Sequence, residues 1–431
     1  MTNYLKQIWF ELRHQPVVTI TSVMGTAFAI FFVMAVYMIA SVDSVPVAPE
    51  SNRNRILHAK YGHVCYKEGD SSASLSYNTV QKIYSGLDGI DIISYGGDWD
   101  EPSDVSLTDG NCINLVQKKV DENFWKIFDF KFIGGKPFDK AAVDADLNQV
   151  ILQKASAEKI FGNADVVGKE IKINHSPYTI VGVVDNTSPI LGESYSNMYV
   201  PYSASKVSQD DEQWGDGILG QSRAYLLMSE GTSEEDIRKQ VKQRYDIMNS
   251  TLKKEGKEFK YHLNPYNAEM MAHLRGSNND PDYEVERKKR YAIYLILLLL
   301  PAINLSSMTR SRLRQRVSEI GVRRAYGATK WNILNRFLGE NLVLTLCGGL
   351  IGLMLCMIFI AFFSNYVISY GNMWSEGDIT TARPTFDMLL NFKTFGYAIL
   401  FCLILNLLST GLPAWKASRT NPAEAISGKN D

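Results

Sequence analysis

The sequence predicts a membrane α-helical protein of four transmembrane helices that carries an α+β extracytoplasmic domain of about two subdomains. Three observations predict it. Four uncharged apolar runs are long enough to cross a bilayer. A polar, mixed block over residues 43–290 contains no such run. An arginine-rich link, Thr309 to Arg336, joins the second run to the third.

The link fixes the orientation. Arg310, Arg312, Arg314, Arg316, Arg323, Arg324, Lys330 and Arg336 are opposed by Glu319 alone. Lys and Arg close to membrane ends are retained on the cytoplasmic side, so the link lies inside and the side of every other segment follows. Residues 1–16 place Tyr4, Leu5, Ile8, Trp9 and Leu12 on one helical face beside Lys6 and Arg13. They read equally as an interfacial helix or as a cytoplasmic extension of the first span. Residues 17–42 form transmembrane helix 1; the run exceeds the roughly 7–15 apolar residues of a signal peptide, which favours a retained span. Residues 43–290 form the outside domain and 291–308 transmembrane helix 2, with a kink at Pro301 that neighbouring helices tolerate. The cytoplasmic loop follows over 309–340. Transmembrane helix 3 covers 341–368, where Gly348, Gly349 and Gly352 are either close helix contacts or ordinary membrane-helix composition. The outer loop, 369–393, has Glu376, Asp378, Arg383 and Asp387 and no basic excess. Transmembrane helix 4 covers 394–415, and the tail 416–431, with Lys416, Arg419 and Lys429, suits the inside. Arg287 to Arg290 lie at the outer end of span two. Long translocated domains escape the charge rule, and these side chains read as snorkelling toward headgroups.

Within the outside domain two βαβ units can be read. His63–Tyr66 is a strand, Ser76 caps a helix to Tyr84, and Ile90–Tyr95 is a strand. Ala224–Met228 is a strand, Thr232 and Glu235 form a capping box, and Ile237, Val241, Ile247, Met248 and Leu252 define a helix before a strand at Tyr261–Leu263. Between these units lie a strand at Val150–Leu152, a helix at Gln153–Phe161, and a hairpin of Glu170–Asn174 with Tyr178–Val184.

Several function classes are excluded or disfavoured. The formal net charge of −1 gives no reason to expect nucleic acid. Five cysteines are too few for a disulfide framework; Cys347, Cys356 and Cys402 read as packing residues, and Cys65 with Cys112 as a candidate bridge in an oxidising compartment. Gly162 to Glu170 has one residue too many for a phosphate loop, and Glu170 stands where a hydroxyl would hold magnesium. His58, His63 and Cys65 lack the further ligands of a zinc site. The four runs contain no Asp, Glu, Lys, Arg or His, which counts against ion-driven transport.

The loop's Ser318-Glu319-Ile320-Gly321-Val322-Arg323-Arg324-Ala325-Tyr326-Gly327-Ala328 resembles the cytoplasmic signature of the FtsX-like permeases. Pro413 to Ala425 resembles that family's ending. Phe124-Trp125, Gly134 to Phe138, Ala157 to Gly162, Val167-Gly168-Lys169 and Val181 to Val184 resemble a MacB-type periplasmic core domain. The resemblance implies a permease subunit of an ABC transporter in a bacterial cytoplasmic membrane, with its large domain on the periplasmic side. It implies a separate cytoplasmic ATPase that holds ATP and magnesium, no cofactor or enzymatic activity in this chain, and a second permease, identical or not. A periplasmic or outer-membrane partner is compatible with that arrangement. The coupling loop then contacts the ATPase through Glu319, Gly321, Arg323, Arg324, Ala325, Gly327 and Ala328. Independently, Arg323 and Arg324 suit charged contacts, and Gly327 and Ala328 a tight exit where a side chain would obstruct; lipid anchoring accounts better for Arg310 to Arg316. The expected output is export or extraction of a hydrophobic or peptide-like substrate. The alternatives are a non-transporting complex that activates a cell-wall hydrolase or senses antimicrobial peptides, and a membrane-anchored binding protein with no ATPase.

Overall fold

The computed structural model describes residues 16–41, 46–106, 110, 112–189, 191–203, 217–262, 264–271, 274, 277, 284–285, 287–289, 291–293, 295–296, 322, 326–371, 396–397, 399–400 and 403–404. The chain divides into two compact units: Met1–Val42, Arg287–Ser364 and Thr385–Asp431 make one, and Asp43–Glu286 with Asn365–Pro384 the other. In chain order the elements begin with α1 (Pro16–Ser41), β1 (Ile56–Ala59), β2 (Tyr61–Tyr66), β3 (Gly69–Leu75), α2 (Tyr77–Tyr84) and β4 (Ile90–Gly97). Next come β5 (Glu101–Ser106), β6 (Cys112–Val120), α3 (Phe124–Ile127), β7 (Phe132–Gly135), α4 (Lys140–Asp144), β8 (Gln149–Gln153) and α5 (Lys154–Phe161). Then follow β9 (Glu170–Ile173), β10 (Ser176–Val184), β11 (Met198–Pro201), β12 (Leu219–Gly220), β13 (Ser222–Met228), α6 (Glu234–Leu252), β14 (Glu258–Lys260), α7 (Ala268–Met271) and α8 (Lys330–Gly371).

The extracytoplasmic domain is α+β, and one continuous sheet builds it in two ways. Strands β4-β13-β3-β2-β14 lie in that order, with β1 also on β13. Helices α2 and α6 pack on this layer over Val80, Ile83, Tyr84, Leu226, Ile237, Val241, Tyr245 and Phe259. The strand that enters α2 is β3 and not the expected His63–Tyr66 strand, which runs antiparallel to β4; β3–α2–β4 is a split βαβ, because antiparallel β13 is inserted between β3 and β4. Strands β5, β6, β11, β8, β10 and β9 pair in cyclic order and close into a six-stranded barrel, parallel at β6/β11 and β8/β10. Leu115, Val150, Leu152, Ile173, Ile180, Val183 and Met198 pack together with Ala157 and Ile160 of α5 to form its core. A third cluster is aromatic: Phe124 is fully buried among Trp125, Phe128, Phe130, Tyr199 and Tyr225, with ring centroids 4.5–6.0 Å away. Before it, Asp121 accepts hydrogen bonds from Ser94 Oγ (2.6 Å) and from the amides of Tyr95, Asn123 and Phe124, which starts α3.

Local chemistry sets the boundaries. Ser76 Oγ accepts from the Thr79 amide at 3.0 Å and caps α2. The β9–β10 hairpin turns at Asn174 and His175, both left-handed (φ 47° and 70°) as a two-residue primed turn requires. Gly162, φ 75°, ends α5. It follows a helix C-terminus, the wrong pole for a phosphate.

Four further expectations for this domain are corrected. The cap of α6 is Ser233, which accepts from Glu235, rather than Thr232; Thr232 packs over Gly89. The buried stripe of α6 runs through Tyr245, while Ile247 is 71% exposed, because Tyr245 lies between Val241 and Met248 at helical spacing. The last strand is Glu258–Lys260, antiparallel to β2, so β13–α6–β14 is no parallel βαβ unit. Cys65 and Cys112 are both free.

In the membrane unit, α1 and α8 contain the two apolar stretches of membrane-crossing length found among the described residues, Thr19–Val36 and Leu342–Phe359. Transmembrane helices 2 and 4 lie mostly outside the described residues; the described positions at 291–293, 295–296, 396–397, 399–400 and 403–404 are helical. The run expected as a span over 341–368 lies within a longer helix, Lys330 to Gly371, which no proline interrupts. At 1.5 Å per residue, its 42 residues reach about 60 Å, roughly twice the hydrocarbon thickness. Where α8 meets α1, its glycines are close contacts. A Cβ on Gly348 would stand 2.8 Å from Thr26, and one on Gly352 2.9 Å from the Ala27 carbonyl oxygen. Ile30, Met34 and Cys356 continue the contact, and Phe31 meets Phe359 edge-on. Cys347 is exposed on α8 rather than packed.

Candidate functional site

Two places carry functional geometry: the segment leading into α8, and a buried charge seam in the extracytoplasmic domain.

Of the loop residues expected to meet an ATPase, Glu319, Gly321, Arg323, Arg324 and Ala325 lie outside the described residues, and Gly327 and Ala328 are within them. Val322 is helical, and the Tyr326 amide donates to its carbonyl at 3.1 Å. Gly327 then turns left-handed at φ 88°, the usual way a helix stops. Thr329 Oγ1 accepts from the Asn332 amide and caps α8. Among the described residues an added Cβ at Gly327 would meet nothing within 4 Å; the left-handed backbone itself favours glycine here. Flanking this stop, Tyr326 and Trp331 are 89% and 70% exposed. Neither aromatic residue was among the expected contacts, although Tyr326 lies inside the resemblance motif.

The seam lies between the barrel and the layer subdomain. His58 of β1, Lys60, the Asp98–Asp100 turn, Lys118 of β6, the loop before β11 and Arg223 of β13 converge there. Glu193 pairs with Arg223 and stands 3.6 Å from His58 Nδ1. Lys60 pairs with Asp98 at 3.1 Å and Lys118 with Asp100 at 3.1 Å. The Arg223 guanidinium lies 4.7 Å over the Tyr225 ring, whose hydroxyl donates to the Glu193 carbonyl. Next along the loop, Ser194 donates from its amide and hydroxyl to Glu50, which Arg53 also pairs. Four carboxylates (Glu50, Asp98, Asp100, Glu193) thus face four cations (Arg53, Lys60, Lys118, Arg223). Burial lowers the His58 pKa to about 4; Glu193 pulls it up, while Arg223, Lys60 and Arg53 push it further down. Burial alone would raise the Glu193 pKa, but Arg223, His58, Lys60 and Lys118 overcome it and hold the carboxyl well below its ordinary range. With His58 neutral the seam balances, and a buried balanced network fixes geometry because breaking one pair strands a charge.

Sequence reasoning did not foresee this seam. Its one signal is Arg223 in the apolar, fully buried run of β13, where a charge must find a partner. His63 sits elsewhere, sharing a hydrogen bond with Ser72 Oγ at 2.7 Å and pairing with Asp70 at 3.0 Å. Among the described residues no three His, Cys, Asp or Glu side chains are grouped to hold a metal.

A family model described as the MacB-like periplasmic core domain matches residues 19–244, and one described as the FtsX-like permease C-terminal matches residues 291–422. YknZ of Bacillus subtilis, described as an uncharacterized ABC transporter permease, is 25% identical over 307 residues, covering 71% of this chain and 68% of that one. The macrolide export ATP-binding/permease protein MacB of Burkholderia lata is 24% identical over 323 residues, covering 73% of this chain and 41% of that one. The match thus spans less than half of that relative. The crystal structure of the periplasmic region of MacB from Actinobacillus actinomycetemcomitans aligns at 14% identity with a TM-score of 0.33, over 52% of this chain and 94% of that one.

Proposed function

The chain belongs to the FtsX-like permeases that carry a MacB-like periplasmic core domain, and from that membership we propose that it transmits the work of a separate ATPase across a bacterial cytoplasmic membrane. It is an ABC transporter permease of the MacB and FtsX type. In this reading a cytoplasmic ATPase subunit binds ATP and magnesium and docks on residues 309–340, and a second permease completes the complex. Arg323 and Arg324 supply charged contacts, with exposed Tyr326 and Trp331 beside them. The helix stop at Gly327 and the long, straight-through α8 make a stiff lever from that dock into the bilayer. The domain on the periplasmic side then moves to export or extract a hydrophobic or peptide-like substrate.

The observation that carries the reading is the order of parts: a periplasmic-core match over 19–244, then a permease match over 291–422 that contains the arginine-rich segment. The test is co-purification. Exchanging Arg323 and Arg324 for glutamate abolishes ATPase association while membrane insertion is kept. Association that survives the exchange, or that survives scrambling of residues 309–328 with charge retained, overturns the docking role.

A further inference from the structure

Helices α2 and α6 leave a cleft of about 580 Å³ on the layer subdomain. That volume lies within the range of about 300–1,000 Å³ typical of small-molecule sites. Buried Ile83, Ile218 and Leu252, with half-buried Met248, give it an apolar base. At its mouth Ile247 is 71% exposed, on the helix whose other face carries the core stripe.

The cleft is also cationic. Lys82, Arg244 and Lys257 face Glu255 alone, which leaves a net charge of plus two. The three cations are not equivalent. Arg244 is committed to the carbonyls of Ile83, Ser85 and Gly86 and so neutralises the C-terminal pole of α2. Lys257 pairs with Glu255 at 3.2 Å. Lys82, exposed on α2, pairs with no carboxylate among the described residues.

An unpaired ammonium beside a fixed guanidinium, next to an exposed apolar strip, matches a molecule with an anionic head and one apolar chain. The geometry points to a binding site for a single-chain amphipathic anion, with its head at Lys82 and Arg244 and its chain along Ile247, Met248 and Ile218. Thr251 borders the path of that chain.

The test uses the full chain in lipid nanodiscs and a medium-chain alkyl carboxylate carrying a diazirine at its far end. After irradiation, peptides are mapped by mass spectrometry. The peptide containing Ile247 and Met248 takes up label. Labelling there falls about three- to fivefold in Lys82→Glu, and by a similar factor when the probe's carboxylate is replaced by a neutral amide. Thr251→Trp, which fills the cleft, abolishes it while the thermal midpoint is kept, and it decides the matter should Lys82→Glu fold poorly. Equal labelling by the neutral probe, label confined to the membrane segments, or label that appears only once residues 204–216 are replaced by a Gly-Ser linker each overturns the proposal.

Discussion

Replacing His58 with phenylalanine keeps a ring edge-on to Tyr225, 5.6 Å between centroids, and removes the seam's titrating imidazole. In the native fold that imidazole faces Glu193, Arg223, Lys60 and Arg53, and its pKa falls from 6.5 to about 4. Above pH 6.5 it is neutral in both folded and unfolded chains. Between pH 6.5 and 4 the unfolded chain takes up a proton that the folded one refuses, so acidification favours unfolding. A difference of about 2.5 units corresponds to about 3 kcal/mol lost by pH 4.

Asp121 acts in the opposite sense. Burial raises its pKa from 3.8 to about 6, against the donors from Ser94, Tyr95 and Phe124 that lower it. Between pH 6 and 3.8 the folded chain holds a proton that the unfolded chain lacks. Stability therefore rises by about 3 kcal/mol as pH falls through that window. In the native chain the two effects nearly cancel from pH 6 to 4, and the midpoint changes little on their account. In His58→Phe the Asp121 gain is uncovered. Relative to the native chain, the variant's thermal midpoint rises by about 6–12 °C between pH 7 and pH 4, taking 2–4 °C per kcal/mol for a domain of this size. The assay is tryptophan fluorescence of the full chain in detergent, at matched ionic strength across that range. Parallel midpoint curves for the two chains would refute the assignment of a neutral, buried His58.

Three further outcomes follow from named contacts. Arg223→Met strands Glu193 and costs about 3 kcal/mol, the low end for a broken buried pair because Glu193 keeps 23% of its side chain accessible; adding Glu193→Met recovers most of the loss in chemical denaturation. Gly352→Leu forces a side chain toward the Ala27 carbonyl oxygen and lowers the stability of the solubilised chain by about 1–3 kcal/mol, whereas Leu350→Ala, at a 58% exposed position of the same helix, is near neutral by thermal scan. Gly327→Val costs about 1–2 kcal/mol through its left-handed φ and weakens ATPase co-purification, while Gly327→Asn, which tolerates that conformation, retains it.

What was legible in the sequence was local. Ser76 before an apolar helical stripe marked α2, and the break at His175–Pro177 between alternating strands marked a hairpin whose turn falls one residue earlier, at Asn174-His175, because caps and turns are set by neighbouring residues. Barrel closure was not legible. It depends on β6 meeting β11 and on β5 meeting β9 through Val105 and Ile173, pairings that no local pattern announces. β3 escaped for a different reason: Gly-Asp-Ser-Ser-Ala-Ser-Leu has the composition of a turn and is held as a strand by β2.

The two candidate sites divide along the same line. The expected coupling segment declared itself through a contiguous motif, and the helix stop at its described end, Tyr326 to Thr329, needs only adjacent residues. The seam draws Glu50, His58, Lys60, Asp98, Lys118, Glu193 and Arg223 from separate stretches of the chain, and all but Arg223 are ordinary when read alone. Its physical necessity becomes visible only on folding, when charges on two subdomains lose water together and must be paired across the joint. The loop holding Glu193 also holds Ser194, whose two hydrogen bonds reach Glu50, close in sequence to the end of α1 at Ser41. One peptide unit thus joins the Glu50–Ser194 contact to the Glu193–Arg223 pair between barrel and layer, so that loss of either partner strands charge at the same joint.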